Sequence, residues 1–500
     1  MTKPFYLTTA IDYANGDPHL GHALEKIGAD VMARWRRLGG EPVHFVMGMD
    51  EHGQKVLQAA QASGREPAAY TDAISERFES TWRGLACSHD DWIRTTQPRH
   101  RAAVTALIER IRERHPEHLF VGDYEGRYCV GCEEFKQDSQ IVDGRCTEHP
   151  SRELVLTRER NTFFRLSAWQ DAVLEAIEAG RFRVEPAIRR NEVLAVLRGG
   201  LEDISISRSR LPWGIPFPGG DDETVYVWFD ALINYLSATG YPEDGWDRLW
   251  PADVHVIGKG ITRFHCIIWP AMLMAADLPL PRMVWAHGYV QWGGAKVSKS
   301  EGTAVSLDEA VARHGPDALR WFLMREVGFE ADGDFTFERF DARYAADLAD
   351  GLGNLASRVT AMAVKYRDGA IAAGTPPTPL RETAVALVAE YVAAISRHDL
   401  RGAAAAIERL VGEADAFVSS SAPWALAKAG QDAELDAVLA DLVQVLVRLA
   451  LMSAPFMPEK ARSLWDALGR DGPIEGQWRS AEQPVVGGTT VRKPENLFPK

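Results

Sequence analysis

The chain has no apolar run long enough to cross a bilayer, so no segment reads as a membrane span. Its start, Met1-Thr2-Lys3-Pro4-Phe5-Tyr6-Leu7, runs straight into a strand-like segment. That leaves no room for a signal peptide, and a cytoplasmic protein with no membrane partner is expected. Cysteine is scarce and odd in number, five in all, which excludes a disulfide framework in a reducing compartment. Basic charge is also short: 56 Lys and Arg stand against 70 Asp and Glu, a net charge of −14. A nonspecific nucleic-acid binder with a broad basic face is thereby excluded, although contact with RNA over a limited surface is not. There is no Walker A motif and no GxGxxG, so ATP, if used, must be held in another way. No internal repeat stands out. What is present is ordinary for a globular protein, 46% hydrophobic and 25% charged, and 500 residues are too many for one core. Two to four domains are expected.

The first fifty residues read as a βαβ unit. Phe5 to Ile11 is a β-rich apolar run, and Asn15-Gly16-Asp17-Pro18 is a turn. From about His19 to Leu38, Leu20, Ala23, Leu24, Ile27, Val31 and Trp35 recur at helical spacing, and Val43 to Met49 forms a second strand ending on Asp50. Strand, helix, strand implies a parallel sheet with its ligand crevice at the carboxyl ends of the strands. The region 119–225 differs, with a cysteine cluster, short β-like runs and a Pro/Gly-rich exit at Pro212 to Gly220. It reads as an insertion. The α/β pattern resumes at Val225-Tyr226-Val227-Trp228 and at Val254-His255-Val256-Ile257-Gly258. From about 346 the chain is Ala- and Leu-rich with helical periodicity, and the last twenty residues read as a Pro/Gly-rich tail.

Three motifs carry chemistry. His19-Leu20-Gly21-His22 opens the first helix, with Asp17 as expected N-cap and Pro18 as first helical residue. Histidines three apart share a face, and the free N–H groups at a helix start favour anions. Gly21 lets a ligand approach the backbone. Lys296-Val297-Ser298-Lys299-Ser300, edged by Gly293-Gly294 and Gly302, suits a polyphosphate that gains charge in the transition state. Alone, the histidine motif could equally be two surface histidines by chance and the lysine loop is usually solvated surface; in this order, about 275 residues apart, they reinforce each other. Cys129-x2-Cys132-x13-Cys146-x2-His149 supplies four ligands, with turns at Gly131 and Gly144. Three thiolates and an imidazole complete a tetrahedral Zn2+ shell, so one structural zinc per chain is expected. Cys87 and Cys266 lack partners at metal spacing and are expected to be buried thiols.

The histidine and lysine motifs together resemble the two signatures of the class I aminoacyl-tRNA synthetases. Tyr13-Ala14-Asn15-Gly16, Tyr226-Val227-Trp228-Phe229-Asp230-Ala231, Phe264-His265 before Trp269-Pro270-Ala271, and His287-Gly288-Tyr289-Val290 are similar to its methionine-specific branch, the methionyl-tRNA synthetases. So are Asn354-Leu355-Ala356-Ser357-Arg358 and Ala422-Pro423-Trp424. The resemblance spans Ala10 to Trp424. Three positions depart from the family pattern: Val297 where Met is usual, Gly260 where Asp is usual, and Asp12 where Pro is common.

The resemblance implies an α/β fold: a Rossmann-like nucleotide-binding parallel sheet split by a zinc-bearing insertion, followed by an all-α anticodon-binding bundle. The implied segments are 1–118 and 226–292 for the catalytic halves, 119–225 for the insertion and 293–345 for the lysine loop and stem contact. The helical domain would be 346–482 and the tail 483–500. It implies a ligase that joins L-methionine to tRNA(Met), initiator tRNA included, through an adenylate made from Mg2+-ATP. Methionine would be held by Ala10, Ile11, Tyr13, Asp50, Trp228, Ala231, Tyr235, Ile261 and His265, with Asp50 on the ammonium. ATP would meet His19, Gly21, His22, Gly258, His287, Gly288, Val290, Lys296 and Lys299. His19, His22, Lys296, Lys299 and Arg208 would stabilise charge, and Asn354, Arg358 and Trp424 would read the anticodon. An unbranched thioether calls independently for an aromatic, adaptable slot with few polar groups. Since the chain stops at Lys500 soon after the helical block, a monomer is expected. Two rivals remain at this point: a relative charging another amino acid, and a catalytically impaired synthetase-like tRNA-binding paralogue, suggested by Gly260.

Overall fold

The computed structural model describes residues 3–129, 134–136, 141–147, 153–209, 211–220, 222–293, 295–296 and 306–500. The chain forms two compact units. One comprises Met1–Pro18, His44–Thr81 and His89–His287; the other comprises His19–Val43, Trp82–Ser88 and Gly288–Lys500.

The first unit is built on seven strands: β1 (Phe5–Thr9), β2 (Asp12–Tyr13), β3 (Val43–Asp50), β4 (Asp91–Arg94), β5 (Arg183–Glu185), β6 (Val254–Gly258) and β7 (Met283–His287). Their order is β5-β7-β6-β1-β3, with β2 and β4 also paired to β3. The registers Leu7↔Val254, His255↔Val284, Val184↔Val284 and Val46↔Asp91 are all parallel. Every residue of β7 and the last six of β3 are buried, as expected of strands covered on both faces. Gly48 is obligatory in β3, because a Cβ there would lie 2.0 Å from the Ile93 carbonyl oxygen. Helix α2 (Pro98–Arg114) buries Ala103, Val104, Leu107, Ile108 and Ile111 in the same core as Trp269 and Tyr235.

Within 119–225, Leu119–Cys129 pairs antiparallel with Val155–Phe164 along its length, from Leu119↔Phe164 to Tyr128↔Val155. Glu134–Lys136 and Ile204–Ser205 complete a four-stranded sheet. The same segment also sends β5 back into the parallel sheet beside β7. Three residues with one buried side chain, Val184, give too short a pattern to read as a strand in advance. A second difference lies at Val225–Trp228. The strand there ends at Val225, and Tyr226 is the N-cap of helix α3 (Val227–Leu232). A short apolar run does not by itself separate strand from buried helix.

The second unit holds helix α1 (Leu20–Leu38), a small sheet of Val290–Trp292, Ala295–Lys296 and Gly333–Phe335, and the C-terminal helices. Gly28 brings α1 close to Phe329: a Cβ would fall 2.1 Å from that ring. Asp30 on α1 accepts from Arg320 Nη2 at 2.7 Å and from Arg34 Nε at 2.8 Å. Arg320 is wholly buried and also donates to the carbonyls of Leu85, Pro455 and Phe456. Helix Phe337–Arg343 runs through a π-helical stretch, Tyr344–Gly353, into Asn354–Arg367 without a break. Beyond its exposed first turn, helix Asp432–Ser453 is buried almost all round from Ala437 onward, which marks the centre of the bundle. The Pro/Gly-rich end packs down: Val486, Val491, Leu497 and Phe498 are buried, and Tyr344 Oη donates to the Pro499 carbonyl at 2.6 Å. Among the described residues, no helix is long and apolar enough to cross a membrane.

Candidate functional site

In the first unit, β1 has β3 on one side and β6 on the other, so the strand order reverses there. Ligands of open α/β sheets sit at such a point, outside the carboxyl ends of the strands. Ala10 and Ile11 follow β1, Asp50 ends β3, Ile261 follows β6 and His287 ends β7. Because the strands are parallel, these five residues lie at one edge of the sheet. Ala10 N donates to Val256 O at 2.9 Å, Tyr13 pairs with Asp50, and Ala14 N donates to Asp50 O at 2.9 Å. Gly258 lies beside His287, whose Nε2 would be 3.5 Å from a Cβ at that position.

An aromatic wall belongs to the same core. Trp228 stacks on Phe264 with ring centroids 4.0 Å apart and planes at 12°. Ile11, Tyr13, Trp228 and Ile261 are half-buried against the core, whereas Ala231, Tyr235 and His265 are buried. His265 lies in a π-helical turn, Phe264–Ile268. Its Nδ1 is 3.0 Å from the Ile261 carbonyl, which can only accept, so the proton of the neutral ring sits there. Nε2 therefore accepts the Tyr235 hydroxyl at 2.7 Å. Behind Tyr235, His255 stacks at 4.1 Å. Its Nε2 accepts the Trp269 indole N–H at 3.3 Å and its Nδ1–H donates to Thr8 Oγ1 at 2.7 Å. Burial holds the pKa of His255 well below the usual imidazole range. Tyr235, His255 and His265 are thus a linked set of rings in which His255 is held neutral by burial.

Sequence reasoning missed the charged anchor of this pocket. Asp230, fully buried between Trp228 and Ala231 on α3, accepts from His52 Nδ1 at 2.7 Å and His100 Nε2 at 2.6 Å. His100 Nδ1 lies 2.8 Å from Ser237 Oγ. Burial alone would raise the pKa of Asp230, but His52 and the His100 hydrogen bond outweigh it and bring it down to about 2. His52 comes two residues after Asp50, so this carboxylate ties the end of β3 to the helix carrying Trp228 and Ala231. Glu51 between them is held by Arg94 Nε at 2.7 Å, and its carbonyl accepts from Trp213 Nε1 at 2.6 Å. The signal available in sequence was Asp230 inside an apolar aromatic run, a residue type that is buried only when paired.

Arg208 lies in the antiparallel ribbon Ser207–Ser209 with Glu223–Val225. It is buried, its guanidinium 4.0 Å from the centre of the Tyr226 ring and its Nη1 donating to Ser205 Oγ at 2.9 Å and Ser207 O at 2.8 Å. Cys129 and Cys146 are both buried, the latter just after a turn in which Asp143 and Gly144 take positive φ. Cys132 and His149 lie outside the described residues. Burial of both thiols fits a closed thiolate site. Cys87 and Cys266 are buried as expected, and desolvation raises both thiol pKa values, that of Cys87 to about 12.

In the second unit, the N-cap of α1 is His19 and not Asp17, and the helix starts at Leu20. An imidazole nitrogen takes the place of a cap oxygen: His19 Nδ1 accepts from Gly21 N at 3.1 Å and His22 N at 3.3 Å. The ring's proton is then on Nε2. His19 and His22 stack with centroids 3.6 Å apart at 15°. A Cβ on Gly21 would press on the His19 ring at 3.1 Å, so glycine serves the cap as well as ligand approach. A side chain at Gly288 is excluded by the Ala331 carbonyl, 2.2 Å away. Val290 is buried, and Lys296 pairs with Gln291 across the small sheet; Val297 to Ser300, with Lys299, lie outside the described residues. In the bundle, Trp424 is 49% exposed, so it does not pack between helices. It is the second residue of helix Pro423–Ala429, which follows Ala422 at φ 43°. Asn354 opens helix Asn354–Arg367, and Arg358 Nη1 donates to Asp415 Oδ1 at 2.6 Å. Asp415 lies seven residues before Ala422 on helix Leu400–Ser421, roughly 10 Å along the axis from the turn into Trp424.

Comparison with known proteins agrees across both units. The family model for class I tRNA synthetases (M) matches residues 5–154 and 149–360, and the anticodon binding domain of methionyl tRNA ligase matches 370–500. A methionine–tRNA ligase of Streptomyces coelicolor is 38% identical, covering 100% of this chain and 97% of its own length. One from Thermotoga maritima is 38% identical over 99% of this chain and 80% of its own length. The solved Mycobacterium tuberculosis methionyl-tRNA synthetase in complex with methionyl-adenylate superposes with a TM-score of 0.95, at 38% identity and full coverage of both chains.

Proposed function

The chain belongs to the methionyl-tRNA synthetase family, and from that premise we propose an assignment of residues to the steps of its reaction. The enzyme is a methionine–tRNA ligase. The carboxylate of methionine attacks the α-phosphate of ATP, pyrophosphate leaves, and the aminoacyl group passes from the adenylate to the 3′-terminal ribose of tRNA(Met). No side chain forms a covalent bond. Catalysis is positioning and charge stabilisation.

In this assignment the thioether lies among Ala10, Ile11, Tyr13, Trp228, Ala231, Tyr235, Ile261 and His265, and Asp50 takes the ammonium. The observation that carries it is the gathering of Asp50 and the aromatic wall at the sheet edge where strand order reverses, bound together through Asp230. A cation at Asp50 and a neutral, ring-lined slot suit a zwitterion with an apolar tail. Gly258 and His287 contact the nucleotide from the end of the sheet; Gly21 allows close approach at α1, and Gly288 and Val290 border the ATP. His19, His22, Lys296 and Lys299 are assigned to stabilising charge on the phosphates. Arg208 contributes charge from its buried position over Tyr226. Magnesium accompanies ATP and neutralises part of its polyphosphate charge.

Cys129, Cys132, Cys146 and His149 would hold one zinc ion, whose role would be structural. Asn354, Arg358 and Trp424 read the anticodon, initiator tRNA included, and the enzyme works in the cytoplasm. The segments 1–118, 119–225, 226–292, 293–345, 346–482 and 483–500 serve as the functional divisions. Methionine-dependent ATP–pyrophosphate exchange tests the assignment: Asp50→Ala should abolish it while leaving the fold intact by circular dichroism. Exchange at the wild-type rate in that variant would overturn the pocket.

A further inference from the structure

At the carboxyl end of α2, His115, Glu117 and His118 bring a nitrogen or oxygen ligand atom each to within 4.8 Å of one another. Glu117 Oε1 lies 3.7 Å from His115 Nδ1 and 3.4 Å from His118 Nε2. Ligands at the usual zinc–nitrogen and zinc–oxygen lengths stand about 3.4 Å apart along a tetrahedron edge, so these two separations already approximate such a shell. The far nitrogen of His115, Nε2, has the Asp277 carboxylate 3.9 Å away, the kind of outer partner that orients a ligating imidazole. His115 is the C-cap of a 17-residue helix, where the dipole favours positive charge. Arg114, 3.6 Å from Asp277, and Arg165, whose Nε donates to the Glu117 carbonyl at 3.2 Å, are nearby opposing charges. Trp169 meets both imidazoles edge-on, each centroid 5.2 Å away.

We infer that His115, Glu117 and His118 form a second metal site, separate from the cysteine cluster, that takes one transition-metal dication of the zinc class with water completing the shell. Imidazole and carboxylate donors without thiolate suit Zn2+, Co2+ or Ni2+ over softer ions. The site sits at the root of the insertion. His118 directly precedes Leu119–Cys129, and its carbonyl accepts from Arg165 N at 2.8 Å, just past the end of Val155–Phe164. A metal bound here holds the two strands of the insertion where they leave the parallel-sheet unit.

The test uses the full-length enzyme with its own zinc in place. Titration with Ni2+ should show one ion per chain by calorimetry. Co2+ should give visible d–d absorption without the near-ultraviolet charge-transfer band of thiolate ligation. His115→Ala and His118→Ala should each weaken Ni2+ binding at least tenfold, and Glu117→Gln severalfold, with pyrophosphate exchange retained as proof of folding. Ni2+ binding unchanged in both histidine variants, or a cobalt spectrum carrying the thiolate band, would overturn the site.

Discussion

Replacing Asp230 by Asn keeps the shape of the side chain and removes its charge. The carboxyl has a pKa of about 2 against an ordinary 3.8, nearly two units, and each unit is about 1.4 kcal/mol. The ionised carboxylate therefore contributes roughly 2–3 kcal/mol. The native value is depressed, so this contribution is complete above the ordinary pKa and is lost as pH falls from about 4 towards 2. Hydrogen bonding leads to the same size by another route. Asn offers one acceptor where Asp offered two, one histidine loses its partner, and a charged hydrogen bond is worth about 1.5–3 kcal/mol. The functional effect follows from what Asp230 joins. With the Asp50-Glu51-His52 segment loosened from α3, the KM for methionine should rise on the order of tenfold, about 1.4 kcal/mol of lost positioning. The KM for ATP and the maximal exchange rate should stay near wild type. Pyrophosphate exchange supplies the kinetic constants, and urea unfolding at pH 7 and pH 3 supplies the stability difference, which should shrink at the lower pH. A variant whose ATP and methionine KM values rise together, or which is as stable as wild type at pH 7, would refute the reasoning.

Four further outcomes are expected. Lys299→Ala should lower the activation rate by roughly 10²-fold, the loss of one charge-stabilising group, with methionine affinity unchanged in equilibrium dialysis. Metal analysis should find about one zinc per chain in the cysteine cluster, and Cys146→Ala should lose it. Trp424→Ala should reduce tRNA charging by the equivalent of about 1–3 kcal/mol of stacking and leave pyrophosphate exchange intact; equal loss of both would assign the ring to the fold. Asp30→Asn should destabilise the second unit by about 3–5 kcal/mol at pH 7, because it strands the buried Arg320. Burial would raise the Asp30 carboxyl, but Arg34, Arg320 and Ser88 hold it far below the ordinary range. The gap between variant and wild type in urea midpoint should therefore be full near neutrality and narrow only below about pH 4.

What sequence made legible was whatever depends on neighbours along the chain. The apolar runs of β1, β3 and β6, the period of α1 and the helical character beyond 346 all rest on local pattern, and all are present. The residues proposed for the pocket could be named because they fall in or beside short motifs that resemble those of the family. Contacts between distant segments were not legible. Asp230 meets partners 178 and 130 residues away, and nothing local to it announces two histidines. Asp30 and Arg320, 290 residues apart, are equally silent. The cap of α1 was misread for a different reason: Asp17 satisfies the general preference, but His19 reaches the same backbone N–H groups through a ring nitrogen. Strand β5 was lost because three residues cannot display a period.

Charge decides how the helical unit can select RNA. Between 346 and 482 there are 13 Lys and Arg against 18 Asp and Glu. Several of those cations are already engaged: Arg358 with Asp415, Arg367 with Asp432 and Asp436, Arg381 with Asp441, and Arg409 with Glu390. Little is left for sequence-independent attraction to phosphates, whose strength grows with each cation that displaces a counterion. Stacking on the half-exposed Trp424 ring draws on no net charge, so it survives this acidic setting and works for an unpaired base. Under the proposed assignment, Arg358 would then add discrimination and not bulk affinity. To donate to a base edge it must share or exchange its bond to Asp415, and only a base offering well-placed acceptors compensates for that exchange. A wrong base leaves the ion pair intact and gains nothing. On these terms selection rests on base identity read against a standing ion pair, and binding by this unit should depend on salt less steeply than a phosphate-driven interface would.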